Sequence, residues 1–246
     1  MTENGSFPET ADIETASEDY ATRFSGEVGS YFLDLQLAIT LQLLNDYSAT
    51  TLLDVGGGHG QLAVPLAQKG YQVTVTGSDD SCRQRLDARL SPSQFSYATC
   101  NMLELPYEDN SFDVVLAFRL IPHVDRWPEL IAELSRVARF GVIVDYPDIR
   151  SFNKLNSMLF ALKKNLEGNT RPFTLFTRKQ ILGEFAKNGM DRTVLRPEFF
   201  FPMVLHRKVG SAAFSATVEK AAALLGLTRF FGSPIVVSAR SGEDGP

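Results

Sequence analysis

The stretch Thr51-Leu-Leu-Asp-Val-Gly-Gly-Gly-His-Gly60 constrains the fold of this chain more than any other. A short apolar run includes Asp54, glycines follow at positions 56, 57, 58 and 60, and a helical pattern runs from Gln61 to Gln68. This order predicts a buried parallel strand, a tight glycine turn and a helix that begins at the turn. Because glycine has no Cβ, a ligand can lie against its backbone, and the free N–H groups of a helix start attract an anionic or polar group. The stretch predicts a ligand-binding turn, with a tight βα turn that binds nothing as the alternative.

The spacing of the glycines separates the classes of nucleotide-like ligand. A dinucleotide fingerprint would place its third glycine at position 61, which is Gln61, and a P-loop would require a Gly-Lys-Ser/Thr triplet that the chain lacks. The pattern present is Asp54-x-Gly56-x-Gly58-x-Gly60. It resembles motif I of the class I S-adenosylmethionine (SAM) methyltransferases, and the resemblance makes these four residues cofactor-binding candidates.

The next predicted strand, from Tyr71, ends in an acidic residue, Asp79. An ionised carboxylate accepts hydrogen bonds from two donors, so it can hold both hydroxyls of a ribose. The resemblance gives this role to Asp79. The alternative is that Asp79 only caps the following helix, as Asp80 or Ser81 also can.

A second string, Leu-Pro-x-x-Asp-Asn-Ser-Phe-Asp-Val-Val from Leu105 to Val115, is similar to the small-molecule methyltransferases related to the ubiquinone, menaquinone and biotin pathway enzymes. That family usually has an Asp at the position of Asn101, where it accepts a hydrogen bond from the adenine amino group. An Asn carbonyl can accept the same bond without the assistance of charge. Met102 would lie against the adenine face, or would be an ordinary core residue.

The segment from Phe118 to Val124 follows the fourth predicted strand, and ligands of doubly wound sheets bind outside the carboxyl ends of the strands. Phe118 is therefore a further cofactor-binding candidate. His123 can act as a general base or can fix the loop structurally. Arg119, as an orienting residue, and Tyr146 are the other neighbours of the reaction centre, and no catalytic residue is assigned. The implied methyl transfer requires no metal, and we expect none.

Three segments flank this framework. Residues 1–14 are polar and acidic and are expected to be disordered, as are residues 241–246. N-terminal segments often fold over the cofactor in the methyltransferases that the chain resembles, so Arg23 is a candidate for the cofactor's carboxylate, or an exposed solubilising residue. Residues 146–176 follow a central strand, where a substrate lid belongs. Their basic excess suggests an acidic substrate or merely a solvated helix face, and the phenylalanines at 199–201 suggest a partly apolar pocket or core.

Composition limits the remaining classes. A net charge of -5 and a pI near 5.3 argue against a general nucleic-acid partner. Two cysteines give no disulfide framework. No apolar run approaches the roughly 20 residues of a membrane span. A cytoplasmic enzyme is the expectation.

Together these features predict an α/β fold: a Rossmann-like, doubly wound, mostly parallel seven-stranded sheet with an antiparallel last strand, plus N-terminal helices and a lid insertion. Residues 15–240 are expected to form a single domain. The resemblance implies transfer of a methyl group from SAM to a small-molecule acceptor by in-line attack on the sulfonium methyl, leaving S-adenosylhomocysteine. The alternatives are a SAM-binding protein without catalysis and an NAD-dependent oxidoreductase. The sequence determines neither the acceptor nor the oligomeric state.

Overall fold

A seven-stranded sheet forms the centre of the protein, in the order β3-β2-β1-β4-β5-β7-β6. The computed structural model describes residues 7–151 and 173–242. The strands are β1 (Thr51–Val55), β2 (Gln72–Gly77), β3 (Phe95–Thr99), β4 (Phe112–Ala117), β5 (Ala138–Tyr146), β6 (Arg192–Pro197) and β7 (Ile235–Arg240). The first five strands pair in parallel, and β7 runs antiparallel to both β5 and β6. The predicted mostly parallel sheet with an antiparallel last strand is confirmed.

Within the described residues, three helices precede the first strand, and further helices connect the strands of the sheet. The α-helices of the described residues are α1 (Ala11–Thr15), α2 (Glu18–Thr22), α3 (Gly26–Leu44), α4 (Ala63–Gln68), α5 (Gln84–Asp87), α6 (Trp127–Val137), α7 (Arg178–Lys187), α8 (Met203–Val209), α9 (Ala212–Leu224) and α10 (Leu227–Phe231). The start of α7 is a capping box, since the Thr177 hydroxyl accepts from the Gln180 N–H and the Gln180 side chain accepts from the Thr177 N–H. None of the described helices is long and apolar enough to cross a membrane.

Both faces of the sheet are buried, as expected for a parallel sheet between helices. Alternate residues of β4 divide between the two cores: Val115 packs with the helices α6 and α7, and Val114 packs with α3 and α4. The strand order changes direction between β1 and β4, which opens a crevice at their carboxyl ends. This crevice is where the predicted site residues converge.

The expected disordered tail, residues 1–14, is wrong for its last part. Ala11–Thr15 is a helix, and Ala11 and Asp12 are buried. The physical reason is tertiary: Ala11 joins the apolar cluster that contains Val55 and Met102. A helix of five residues has no stability of its own in water, so these contacts hold it.

The expected lid, residues 146–176, lies mostly outside the described residues. Its two described ends meet each other beside the sheet, where the Ile149 N–H donates to the Phe176 carbonyl at 2.9 Å. The Thr174 N–H donates to the Pro122 carbonyl at 2.9 Å. The segment therefore begins and ends next to the loop that follows β4.

Candidate functional site

The glycine turn lies at the carboxyl end of β1, as predicted. Gly56 has φ 71° and Gly60 has φ 67°, both left-handed, and residues Gly57–His59 form a 3-10 turn between them. Residues with a Cβ rarely adopt this backbone, so glycine is required at both positions. These two left-handed glycines turn the chain from the end of β1 to the start of α4 within a few residues.

Close packing of the chain itself accounts for the glycines in the middle of the turn. A Cβ on Gly57 would overlap the Asp54 carboxyl group, and a Cβ on Gly58 would overlap the carbonyl oxygen of Cys82. The turn is therefore folded tightly against Asp54 on one side and against the segment after β2 on the other. Glycine is needed there for the protein's own packing, before any ligand is considered.

Asp54 is the most unusual group of the turn. It is completely buried, and neither carboxylate oxygen has a hydrogen-bond partner among the described residues. Burial raises its pKa to about 7, and the nearby N–H of Ala63, which does not form a hydrogen bond of ordinary geometry with the carboxyl, opposes part of this shift. An unpaired buried acid is costly. The arrangement suits a bound cation, which would pair with the ionised form.

Asp79 lies at the rim of the crevice, exposed, where its side chain caps a 3-10 turn. Its Oδ1 accepts from the Ser81 N–H at 2.8 Å, and this bond lowers the pKa of the carboxyl. Asp80, one residue on, accepts instead from the Thr99 hydroxyl. The side chain of Asp79 thus caps a turn in this structure and is open to solvent and to a ligand.

Asn101 and Met102 follow β3, on the same side of the crevice. The Asn101 Oδ1 accepts from the Leu103 N–H at 3.1 Å, while Met102 is buried in the apolar cluster that also contains Ala11. An Asn oxygen has two lone pairs, so Asn101 keeps one acceptor position beyond this bond.

Residues Glu9–Ala16, which we call the N-terminal segment, cross this same edge of the sheet. The Ser78 N–H donates to Asp12 Oδ2 at 2.6 Å, and the Ser78 hydroxyl donates to Asp12 Oδ1. A Cβ on Gly56 would lie 3.3 Å from the Asp12 Cβ, and a Cβ on Gly58 would lie 3.1 Å from the Ala16 Cβ. The bare backbone of the glycine turn is thus approached by the chain's own residues.

The far end of the N-terminal segment is fixed as well. The Arg126 N–H donates to Glu9 Oε1 at 3.0 Å, just before α6. The contact with Ser78 lies beyond β2, and the contact with Arg126 lies beyond β4. The segment therefore spans the crevice from one side to the other.

Arg23, the predicted partner of a carboxylate, lies on the outside of this region. Its side chain is 54% exposed and forms an ion pair of 3.8 Å with Glu14. Its guanidinium also lies 4.8 Å from the centre of the Tyr20 ring. The structure does not bring Arg23 to the glycine turn.

Phe118 and Arg119 follow β4. Phe118 is buried in the second apolar cluster, with α3 and α4. Arg119 has a left-handed φ of 58°, and its N–H donates to Asp145 Oδ1 at 2.5 Å. Leu120, the next residue, lies 3.1 Å from the position of a Cβ on Gly56. The end of β4 is therefore in direct contact with the glycine turn.

Two more buried acids face this end of the sheet. Burial raises the pKa of Asp145 to about 6 and that of Glu198 to about 8. Asp145 is the second-last residue of β5, and Glu198 accepts from the Gln36 Nε2 at 3.0 Å. The positive charge of Arg119 opposes both shifts but does not cancel them. Together with Asp54, these groups make the edge rich in buried carboxyls whose pKa values are raised by burial.

The other two suggested neighbours of the reaction centre are His123 and Tyr146. His123 is half-buried, with its ring 5.5 Å from that of Phe173. Tyr146 is buried, burial raises the pKa of its phenol, and its hydroxyl has no partner within residues 7–151 and 173–242.

Sequence reasoning missed Asp12, Gln36 and Glu198. Asp12 falls in a polar stretch without periodicity, and its partner Ser78 is 66 residues away. Gln36 interrupts the apolar face of α3, and Glu198 precedes the phenylalanines at 199–201. For Gln36, a polar residue on an apolar helix face was the available sign of a role.

Residues 53–144 match the sequence model of a family described as "Methyltransferase domain". The chain is 30% identical over 173 residues to a ubiquinone biosynthesis O-methyltransferase of Rickettsia conorii, a match that covers 68% of this chain and 54% of that protein. It is 35% identical over 103 residues to norajmaline N-methyltransferase of Rauvolfia serpentina, covering 39% of this chain and 35% of that protein. The chain thus spans only about a third to a half of these curated relatives.

Solved structures share the fold. The magnesium protoporphyrin IX methyltransferase of Synechocystis PCC 6803, crystallised with bound S-adenosylhomocysteine, has a TM-score of 0.60 at 16% identity, with 93% of this chain and 97% of that chain covered. Fold, glycine turn and sequence match agree. Residues 53–144 are a methyltransferase domain of the class I, SAM-dependent family. Within that family the chain is similar to the methyltransferases of ubiquinone biosynthesis.

Proposed function

We propose that this protein binds SAM at the carboxyl ends of β1, β2 and β4 and transfers its methyl group to a small molecule. The observation that carries the proposal is the buried, unpaired Asp54 beneath a glycine turn with two left-handed glycines. The residues present fit the cofactor. Asp54 can accept from an ammonium group, Asp79 can accept from ribose hydroxyls, Asn101 can accept from the adenine amino group, and Met102 is the proposed apolar contact of the adenine.

SAM supplies a methyl group that is already activated by the positive sulfonium charge. The chain's residues then have to hold the cofactor, align the acceptor and exclude water, which can account for a large part of a rate enhancement. Buried Phe118 and Leu120 help to exclude water at the end of β4. No residue needs to form a covalent intermediate.

Occupation of the crevice requires the N-terminal segment to move. Asp12 takes both donors of Ser78, and the Asp12 and Ala16 side chains lie against Gly56 and Gly58. In this conformation the segment covers the glycine turn and the end of β2. The proposed function therefore includes two states, one with the N-terminal segment on the crevice and one with the cofactor there.

The nature of the acceptor is part of the proposal. The relatives include O-, C- and N-methyltransferases, so the similarity does not favour one accepting atom. Arg150 is the basic residue of the lid region within the described part of the chain, and it is already paired, since it binds the buried Asp148 together with Arg178 from the start of α7. An apolar contact surface is offered by Phe173, which is 55% exposed beside His123. A partly apolar small molecule fits the described residues better than a strongly acidic one.

Titration calorimetry with SAM, S-adenosylhomocysteine and NAD tests the binding step. We expect saturable binding of the first two and none of NAD. Saturable NAD binding without SAM binding would overturn the assignment. Incubation with SAM and a small-molecule cell extract, followed by measurement of S-adenosylhomocysteine, tests the transfer. SAM binding without any extract-dependent product would identify a SAM-binding protein without catalysis.

A further inference from the structure

Arg119 is held in an uncommon conformation at the end of β4. Its φ of 58° is left-handed, although it is not a glycine, and its backbone N–H is tied to Asp145 Oδ1 at 2.5 Å. Non-glycine residues in this region of backbone space carry a conformational cost and occur preferentially at ligand sites. The surrounding structure thus fixes the direction in which the Arg119 side chain leaves the sheet.

The guanidinium of Arg119 is positioned but only partly paired. Its Cζ lies 3.8 Å from the centre of the Phe24 ring, and its Nη2 donates to Gln36 Oε1 at 3.1 Å. Its Nη1 is buried and has no hydrogen-bond partner in the described part of the chain. A buried donor without an acceptor is destabilising, and a guanidinium binds carboxylates through two parallel bonds. The Nη1 of Arg119 is therefore available to bind an anionic group of a ligand.

The free nitrogen belongs to the same end of the sheet as Asp54. The strands β1 and β4 are neighbours, with Asp54 paired in register to Leu116, three residues before Arg119. Leu120, next to Arg119, would lie 3.1 Å from a Cβ on Gly56. The pKa of His59, within the turn, is lowered to about 3, first by burial and second by the charge of Arg119. The Arg119 charge thus acts directly on the glycine turn.

The Asp54 carboxyl and the Arg119 Nη1, at the ends of adjacent strands, are therefore both buried without a hydrogen-bond partner in the described part of the chain. A ligand that satisfies both groups carries an ammonium and a carboxylate. The α-amino acid end of SAM has this form, whereas adenosine and ribose have neither charge.

We propose that Arg119 binds the carboxylate of the cofactor's amino acid group while Asp54 accepts its ammonium group. This assignment rests on the proposed SAM binding. It replaces Arg23, whose side chain is exposed and paired with Glu14, as the carboxylate partner.

The test compares SAM with decarboxylated SAM, which keeps the adenosine, sulfonium and ammonium groups and lacks only the carboxylate. Dissociation constants for both compounds are measured by calorimetry on the parent protein, Arg119→Gln, Arg119→Lys and Arg23→Gln. The ratio of the two constants on one variant does not depend on the fraction of folded protein, so a destabilised variant still gives a result.

For the parent and Arg23→Gln, the dissociation constant of SAM is expected to be about 10- to 100-fold lower than that of decarboxylated SAM, which corresponds to one charge-assisted contact. Arg119→Gln should bind both compounds alike, and Arg119→Lys should retain part of the preference because it keeps the charge. The inference is overturned if Arg119→Gln keeps the parent's preference, or if Arg23→Gln loses it. If the parent binds neither compound, the proposed function fails and this assignment fails with it.

Discussion

Replacing Asp12 by alanine should strengthen SAM binding while it destabilises the protein without ligand. Asp12 is completely buried, and its carboxylate receives the N–H and the hydroxyl of Ser78. Both bonds exist only while the N-terminal segment lies on the crevice. Their loss raises the free energy of the closed state and leaves the cofactor-bound state, in which the segment has moved, largely unchanged.

The magnitude follows from the two hydrogen bonds. A bond to a charged group contributes about 1.5–3 kcal/mol, and two bonds to one carboxylate do not add fully. A net loss of about 1.5–3 kcal/mol in the closed state corresponds to a SAM dissociation constant about 10- to 100-fold lower. The same loss should lower the melting temperature without ligand by about 3–12 °C, at about 2–4 °C per kcal/mol for a chain of this size.

The assay is calorimetric titration with SAM, together with thermal melts of the protein without ligand. Glu14→Ala is the matched control, because Glu14 lies on the same short helix with its side chain 48% exposed and is expected to change neither quantity. If Asp12→Ala binds SAM more weakly than the parent, the N-terminal segment helps to hold the cofactor and does not compete with it. Unchanged affinity with a lowered melting temperature would show that the segment lies outside the path of the cofactor.

Three further results are expected. SAM binding should weaken about tenfold between pH 8 and pH 6, because only ionised Asp54, whose pKa is raised to about 7, pairs with an ammonium group; Asp54→Asn, titrated by calorimetry, should bind weakly and lack this dependence. Asp79→Ala should weaken SAM binding by roughly 10- to 1,000-fold through loss of the ribose contact, while Asp80→Ala does not, and equal affinities of the two variants would remove Asp79 from the site. Glu198 is an acid whose pKa is raised from 4.5 to about 8 in the folded state, so it holds its proton there and loses it in the unfolded chain. Stability should therefore fall as pH rises from about 4.5 to about 8, and Glu198→Gln should reduce this fall in thermal melts at pH 5 and pH 8; an unchanged fall would assign it to other groups.

The central fold was predictable because its features are local in the sequence. Leu52 and Leu53 form a buried run, and the glycines from Gly56 onward end it. Thr177 and Gln180 predict a helix start, which the structure shows as a capping box. Patterns of this kind depend on residues within one turn or strand of each other. They determine the elements, and the parallel connections then leave few alternative topologies.

The part of the site that could not be predicted depends on contacts between distant segments. Arg23 and Arg119 look alike in the sequence, and their different burial arises from Gln36 and Asp145, which come from α3 and β5. Asp12 becomes buried only because the end of β2 presents two donors to it. Sequence spacing contains no information about either arrangement.

The N-terminal segment and the unpaired charges have a joint consequence for which ligands can open the crevice. With the segment in place, Asp12 satisfies Ser78, but Asp54 and the Nη1 of Arg119 have no partners among the described residues. A ligand with both an adenosyl and an amino acid group offsets the lost Asp12 contacts by pairing these two buried charges. An adenosyl compound without the amino acid group must break the same contacts and pairs neither charge. The closed conformation should therefore favour SAM over nucleosides more strongly than the shape of the crevice alone would. Asp12→Ala should reduce this preference for SAM.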